Sequence, residues 1–488
     1  MQDVEYIPNA RPKRILIIGG GASGLVTLRN LRERGNFDEV QLVERRDDVG
    51  GVWYLDDETG KAPRWPSPAY PGLIGNVLPE FLSFSAFPPF PEPPSTATGQ
   101  PFPSLAETHA YLRAFASPHL SSGAIRLNTE VQAVEELPAR AGWRVRMRRY
   151  GAAEPEALEE TWDAVVIAVA CYDHPVFPLT PGLARLRELG RAHHAQGWRG
   201  PAGYERKRVL VIGNANSRND IAAQLAPVAG AVYQSVRRPN FPGFPSLPDA
   251  RVARVAPVAE YTVDTSAHTI DARLADGRTL HGLDAVLFGT GYHPFPDFVR
   301  VLAGGRDAPT LEPLVSHDTA PPRVPHLHRY TLYARNPALA FIGTAFASYT
   351  PFPLADVCSA WLALAWAGEI AYPTTLPRLL EFEAERLAAV EAARREMEVA
   401  AAGAGEPGTD EGTGQGKTEA SALVAYGVLG PFEEAYASAL RADVVQARPE
   451  LDAVLPVWSA ERKAAREAMF GAKRAALELA REREGGRE

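Results

Sequence analysis

Residues 13–24 read Lys13-Arg14-Ile15-Leu16-Ile17-Ile18-Gly19-Gly20-Gly21-Ala22-Ser23-Gly24. Ile15 to Ile18 form an unbroken apolar run, the pattern of a strand buried on both faces of a parallel sheet. The run ends in Gly19, Gly21 and Gly24, at the spacing of a dinucleotide fingerprint. Gly19 permits the tight turn, Gly21 lets backbone approach a pyrophosphate, and Gly24 lets the next helix pack against the strand. Ala22 and Ser23 open that helix, whose free N–H groups and positive dipole end face the phosphates. A second apolar segment, 40–43, ends in Glu44, twenty positions past Gly24. A carboxylate there suits two ribose hydroxyls and repels a 2′-phosphate. Three glycines alone also make a ligand-free turn. Strand, turn, helix, second strand and acid arriving in order favour a nucleotide-binding unit and an α/β fold.

At 488 residues the chain exceeds a single core, which implies two or three domains. A hydrophobic content of 45% with 23% charged residues is that of a globular protein. The net charge of −8 gives no reason to expect nucleic acid or an anionic membrane surface. Cys171 and Cys358 stand far apart and form no CxxC pair, which argues against a disulfide framework, a zinc site and a dithiol centre. No metal ligand set is present. The first residues carry no basic segment or apolar leader, and the longest apolar stretch, 357–367, is short of the ~20 residues that span a bilayer. A cytoplasmic protein without a membrane anchor is expected, with a homodimer as one oligomeric option.

After Glu44 and Arg45 comes Gly50-Gly51-Val52-Trp53. The glycine pair lets backbone pass close to a ligand, and Trp53 offers a flat apolar face; a plain turn over a core tryptophan has the same composition. The run from Gly19 through Glu44 to Trp53 resembles the flavin-containing monooxygenases, the class B flavoprotein monooxygenases. In that family the first fingerprint holds FAD, the acid binds the adenosine ribose, and Gly-Gly-x-Trp lies along the cofactor. Gly75-Asn76 through Phe84-Ser85-Ala86-Phe87-Pro88 resembles the family's active-site stretch, with Gly75 for Thr and Ala86 for Asp. By that match Asn76 sits over the flavin, where an amide can donate and accept at once. Read alone, Asn76 is equally a turn-capping residue. Val131, at the start of paired strands over 131–137 and 143–149, is carried over as a cofactor contact.

Residues 90–103, rich in Pro, Ser, Thr and Gly, read as a surface loop. Cys171 follows the apolar segment 163–170 and has no basic partner nearby in sequence, so it reads as a packed thiol. Gly190, His194 and Trp198 resemble the family signature before the second nucleotide unit. The resemblance makes His194 a linker and domain-closure residue, and Trp198 leans towards Baeyer–Villiger members.

The second unit runs Ile212-Gly213-Asn214-Ala215-Asn216-Ser217-Arg218-Asn219-Asp220-Ile221-Ala222. Only Gly213 keeps its usual place. The stretch resembles the family's NADPH site, where Ser-x-x-Asp-Ile-Ala follows the turn; Ser217 and Asp220 match it. Asn214 and Asn216 are carried over with them. Arg218 replaces a small residue and puts close helix–phosphate packing in doubt. The next strand, 231–236, ends in Arg237-Arg238 with no acid, which favours a 2′-phosphate. Phe288-Gly289-Thr290-Gly291-Tyr292 resembles the motif that links the nucleotide domains, with Gly291 allowing backbone to swing. Residues 400–418 read as a disordered loop, and the tail from Ser459 as a charged, Ala-rich helix.

The resemblance covers about 13–387. It implies two Rossmann-like three-layer dinucleotide-binding domains, with an NADPH domain (179–300) inserted in a discontinuous FAD domain (1–178 and 301–488). It implies FAD and NADPH as cofactors, and O2 with a small molecule as substrates. In the family NADPH reduces FAD, O2 gives a C4a-(hydro)peroxyflavin, and a nitrogen or sulfur nucleophile takes an oxygen atom. Two alternatives stay open: a Baeyer–Villiger enzyme acting on a ketone, and a nucleotide-binding flavoprotein without turnover.

Overall fold

The apolar run that ends at Gly19 is a strand, Arg14–Ile18, inside a seven-stranded sheet of the computed structural model. The structure describes residues 5–55, 64–93, 99–151, 154–213, 215–237, 246–264, 269–294, 296–303, 309–345, 349–402 and 424–485. The strand is flanked in parallel by Glu39–Val43 and Ala164–Ile167. Both of its faces are covered, and Ile15, Leu16 and Ile17 are fully buried. Beyond Ala164–Ile167 lies Leu339–Phe341, again parallel. This sheet therefore takes its strands from both halves of the chain.

A second sheet is built from the middle of the chain. Its five strands run Val252–Val255, Ala231–Ser235, Arg208–Ile212, Ala285–Phe288, Ala192–His194, and every neighbouring pair is parallel. The fold is α/β with two Rossmann-like units. Two smaller sheets accompany them. Val258–Asp264, Thr269–Leu274 and Thr279–Leu283 form an antiparallel meander. Thr129–Glu136 joins Trp143–Arg149 and Glu156–Trp162 on one side and Val299–Ala303 on the other.

Two chain segments run side by side where the middle of the chain is entered and left. Val176 donates to the Gly291 carbonyl at 2.9 Å, and His293 to the His174 carbonyl at 2.9 Å. The Thr290 hydroxyl also donates to the Val176 carbonyl. Gly291 adopts φ of 84°, a left-handed conformation that glycine takes without a Cβ penalty.

The helix Pro351–Ala367 is buried from Phe352 to Trp366 and packs against the helix Ala22–Arg34. Its apolar character all round is that of a core helix. One charge lies in it. Asp356 is fully buried and accepts from Arg29 Nη2 at 2.8 Å, Asn30 Nδ2 at 3.1 Å and the Ser85 backbone N–H at 2.8 Å. The Arg29 Nη1 donates in turn to the Ser85 carbonyl at 2.6 Å. This network ties the first nucleotide helix, the 83–85 loop and the returning helix together.

The described residues of 90–103 form a loop, as expected, but the loop is not wholly at the surface. Phe90 and Phe102 are buried, the second with Phe81 and Met469 in a small satellite core. Counting Pro, Ser and Gly overlooked two phenylalanines, each of which gains about 2 kcal/mol from burial; 94–98 lie outside the described residues. The helix Leu376–Ala402 continues past the expected start of the 400–418 loop, whose remaining residues lie outside the described ones. The tail is helical over Ala460–Gly485, as its composition predicts.

Removing one partner of a buried ion pair leaves the other charge uncompensated, which costs about 3–5 kcal/mol. Asp356→Ala should therefore lower the unfolding free energy by that order, seen as a fall in the denaturant midpoint in equilibrium unfolding. An unchanged midpoint would show that the network does not hold these elements together.

Candidate active site

The first turn is shaped by what its residues lack. Gly19 has φ of 110°, and a Cβ there would stand 2.9 Å from the Ala168 carbonyl oxygen. A Cβ on Gly24 would overlap the Gly19 carbonyl oxygen. The helix Ala22–Arg34 thus begins directly on the strand end, with Gly21 as an N-cap that makes no side-chain cap bond and no acid in its first turn. Its first N–H groups face outward, where an anion is favoured.

Glu44 braces this turn. Gly20 N–H donates to Glu44 Oε2 at 2.6 Å and Arg46 N–H to Oε1 at 3.0 Å. The Gly50 N–H donates to the Gly20 carbonyl at 2.8 Å, and a Cβ on Gly51 would stand 2.8 Å from Gly21 Cα. Arg46 Nη1 donates to the Gly51 and Tyr54 carbonyls at 2.9 and 3.0 Å. The short 3-10 turn Gly51–Trp53 is in this way clamped onto the glycine turn.

A cavity of about 920 Å3 opens from this point. Gly19, Gly21, Ala22, Ser23, Glu44, Arg45, Gly51, Val52, Trp53, Asn76 and Val131 all line it. Arg45 is held by a paired contact with Asp173, at 2.7 and 2.8 Å. Asn76 has no hydrogen-bond partner among the described residues, so its amide caps no turn. Gly75, the residue before it, is fixed by an N–H bond to the Pro103 carbonyl at 2.8 Å. Gly24 lies beneath the cavity, not in its wall. The volume stands at the upper end of small-molecule sites, as an extended dinucleotide needs. The residues present fit FAD.

The other expected residues gather at the end of the second sheet, apart from this cavity. Arg218 folds flat over the second turn: a Cβ on Gly213 or on Gly289 would overlap its side chain. Burial, with Arg237 nearby, lowers the Arg218 pKa to about 10. Among the described residues the Arg218 guanidinium has no hydrogen-bond or ion-pair partner. Asn216 starts the helix Asn216–Leu225, Ser217 and Arg237 are exposed, and Asn214 lies outside the described residues. Asp220 accepts from the Tyr70 hydroxyl at 3.1 Å, and burial raises its pKa. Thr290 and Gly291 belong to the paired crossing segments. His194 packs edge-on between Phe177 and Tyr292 beside those segments, and burial lowers its pKa to about 4. The ring is neutral at physiological pH, which suits a packing role.

Residues 12–241 match a family model described as flavin-binding monooxygenase-like. A curated relative, flavin-containing monooxygenase FMO GS-OX4 of Arabidopsis thaliana, is 30% identical over 373 residues, spanning 74% of this chain and 75% of the relative. The chain belongs to the flavin-containing monooxygenase family. A thiol-specific monooxygenase of Saccharomyces cerevisiae is 26% identical over 372 residues, spanning 74% of this chain and 79% of the relative. The solved structure of S-allyl-L-cysteine S-oxygenase from Allium sativum shares the fold, with a TM-score of 0.67 and 24% identity over 97% of this chain and 93% of that one. This protein is accordingly a flavin-dependent monooxygenase acting on a small molecule with O2.

Several cavity residues of this monooxygenase escaped the sequence reading. Tyr349, Met469 and Phe470 also line the cavity, Met469 bonded to the Leu78 N–H two residues past Asn76, and Asp173 holds Arg45. The one available signal was Met469-Phe470, the one adjacent pair of bulky apolar side chains in the charged tail. Trp198 is buried away from the cavity, tilted on Tyr204 and donating to Gln224 Oε1 at 3.2 Å. No helix of the described residues is long and apolar enough to cross a membrane.

Cys171 lines the cavity, and burial pushes its thiol up to about 11. The thiolate is the reactive form, so about one thiol in a thousand is ionised at pH 8, rising tenfold per pH unit. Iodoacetamide should leave Cys171 unmodified over an hour at pH 8 by mass spectrometry. Rapid alkylation there would contradict a packed thiol.

Proposed function

We propose that this protein uses NADPH and O2 to oxygenate a soft heteroatom, the sulfur of a small sulfide or thiol. For a sulfide the balance is sulfide + O2 + NADPH + H+ → sulfoxide + NADP+ + H2O. The observation that carries the reading is the convergence of four separated stretches, around Gly21, Glu44–Trp53, Asn76 and Val131, on one cavity. The choice of sulfur rests on the 26% identical relative named thiol-specific. It is supported by the wall near Asn76, where Met469, Phe470 and Tyr349 present apolar and aromatic faces.

Bound FAD would accept hydride and activate oxygen; the protein holds the reactants and keeps water out. The N–H groups after Gly21 would take the pyrophosphate, and Glu44 would accept from the ribose hydroxyls. Asn76, with no hydrogen-bond partner among the described residues, would donate to an activated oxygen while accepting from a nicotinamide ribose hydroxyl. The helix Pro351–Ala367 begins at the cavity, with Pro351 and Phe352 in its wall, and its positive end favours a reduced, anionic ring. Gly213, Asn214, Asn216, Ser217 and Arg237 would take NADPH, with Arg237 on the 2′-phosphate. We assign 1–178 and 301–488 to the FAD domain and 179–300 to the NADPH domain. Val299–Ala303 pairs with Val134 and Glu135, so the second boundary is better drawn ahead of Val299. Ketone oxidation gains no support, since Trp198 faces its own core.

Turnover of a small aryl methyl sulfide under 18O2 should give sulfoxide carrying one 18O atom, read by mass spectrometry, with NADPH consumed. Asn76→Ala should reduce sulfoxide formed per NADPH by roughly tenfold to a hundredfold, the cost of losing one aimed donor. Sulfoxide labelled from water, or unchanged coupling in the variant, would overturn these assignments.

A further inference from the structure

The C-terminal helix Ala460–Gly485 lies beyond the residues matched by the family model, yet one turn of it touches both halves of the site. Met469 Sδ accepts from the Leu78 N–H at 3.4 Å, close to Asn76. Phe470 stands edge-on to Tyr349, with ring centroids 5.8 Å apart, in the cavity wall. One turn on, Lys473 leaves the flavin cavity behind. Its Nζ donates to Asn216 Oδ1 at 3.2 Å, on the first residue of the helix Asn216–Leu225. Spacings of three and four residues place these side chains on one face of the helix.

Lys473 joins Arg218, whose guanidinium lies over Gly213 and Gly289 with no hydrogen-bond or ion-pair partner among the described residues. Two cations therefore flank a helix start whose N–H groups carry no side-chain cap. The nearby anion, Asp220, accepts from the Tyr70 hydroxyl and also faces Lys473, whose charge it offsets in part. Such an arrangement suits a ligand with two adjacent negative charges. Arg237, near enough to Arg218 to lower its pKa, follows the strand Ala231–Ser235, where the 2′-phosphate of the same nucleotide would be read.

We propose that Lys473 is a ligand of the pyrophosphate of the nicotinamide dinucleotide, so that the C-terminal helix is part of the reductant site. The proposal rests on the reading of the second turn as that site. It assigns the tail a binding role that reaches across from the FAD half. It also separates two functions: Lys473 serves the pyrophosphate common to NADP+ and NAD+, and Arg237 serves the phosphate that distinguishes them.

The test is a titration of the oxidised, FAD-loaded full-length enzyme with NADP+ and with NAD+, followed by the perturbation of flavin absorbance and by calorimetry. Lys473→Met should weaken both nucleotides by about tenfold or more. FAD content and thermal midpoint should stay at the wild-type level. Lys473→Arg should restore most of the affinity, because a charge in that place is what the site needs. Arg237→Ala should weaken NADP+ alone. Wild-type affinity for both nucleotides in Lys473→Met would overturn the proposal while leaving the reading of the second turn intact. A loss confined to NADP+ would move Lys473 to the 2′-phosphate and overturn the assignment made here. If the wild type binds neither nucleotide, the reading of the second turn falls and the proposal falls with it.

Discussion

The structure depends on a contact that only glycine allows. Gly24 rests on the carbonyl of Gly19, so the first helix starts on the end of the strand with nothing between them. Any side chain at either place would lift the helix and close the crevice. The crevice fixes the rest. Glu44 reaches back to the Gly20 N–H, Gly50 bonds the Gly20 carbonyl, and the Gly51–Trp53 turn is laid against Gly21. The cavity wall is thereby held by bonds within the chain itself, which favours preorganised binding.

The second half of the chain completes the site by coming back to it. Leu339–Phe341 adds to the same sheet, and the helix Pro351–Ala367 then packs on Ala22–Arg34. Asp356 locks that return by bonding Arg29, Asn30 and Ser85 at once. The middle of the chain is joined to this body by two paired segments and by the tail helix. The paired segments supply a place where backbone can pivot, at Gly291. The tail helix, with Met469 on one side and Lys473 on the other, spans the gap that such a pivot would open.

The sequence revealed what local spacing controls. The first glycine turn and Glu44 could be read because each sits at a fixed distance from a strand end, whereas the Gly51–Trp53 turn and Asn76 could be read only through the resemblance to the family. The second unit was legible as strand and helix, but the reach of Arg218 across Gly213 and Gly289 was not. A long side chain has many rotamers, and which one it takes depends on the neighbours it meets. The burial of Phe90 and Phe102 within their loop was missed for a related reason: their partners, Tyr111 for one and Met469 for the other, are distant in the chain. Lys473 was invisible to pattern because its importance lies in a contact with Asn216, more than 250 positions earlier. Long-range pairing, not composition, decided these cases.

The central claim is that the first cavity holds FAD and that the second turn delivers hydride to it from NADPH. It is tested most directly by purifying the protein, quantifying bound flavin, and titrating it with NADPH without oxygen. The account predicts a yellow protein with FAD near one per chain, whose visible absorbance is bleached by about one equivalent of NADPH and far more slowly by NADH. A protein that takes up no FAD on reconstitution, or a bound flavin that NADPH leaves oxidised, would contradict it.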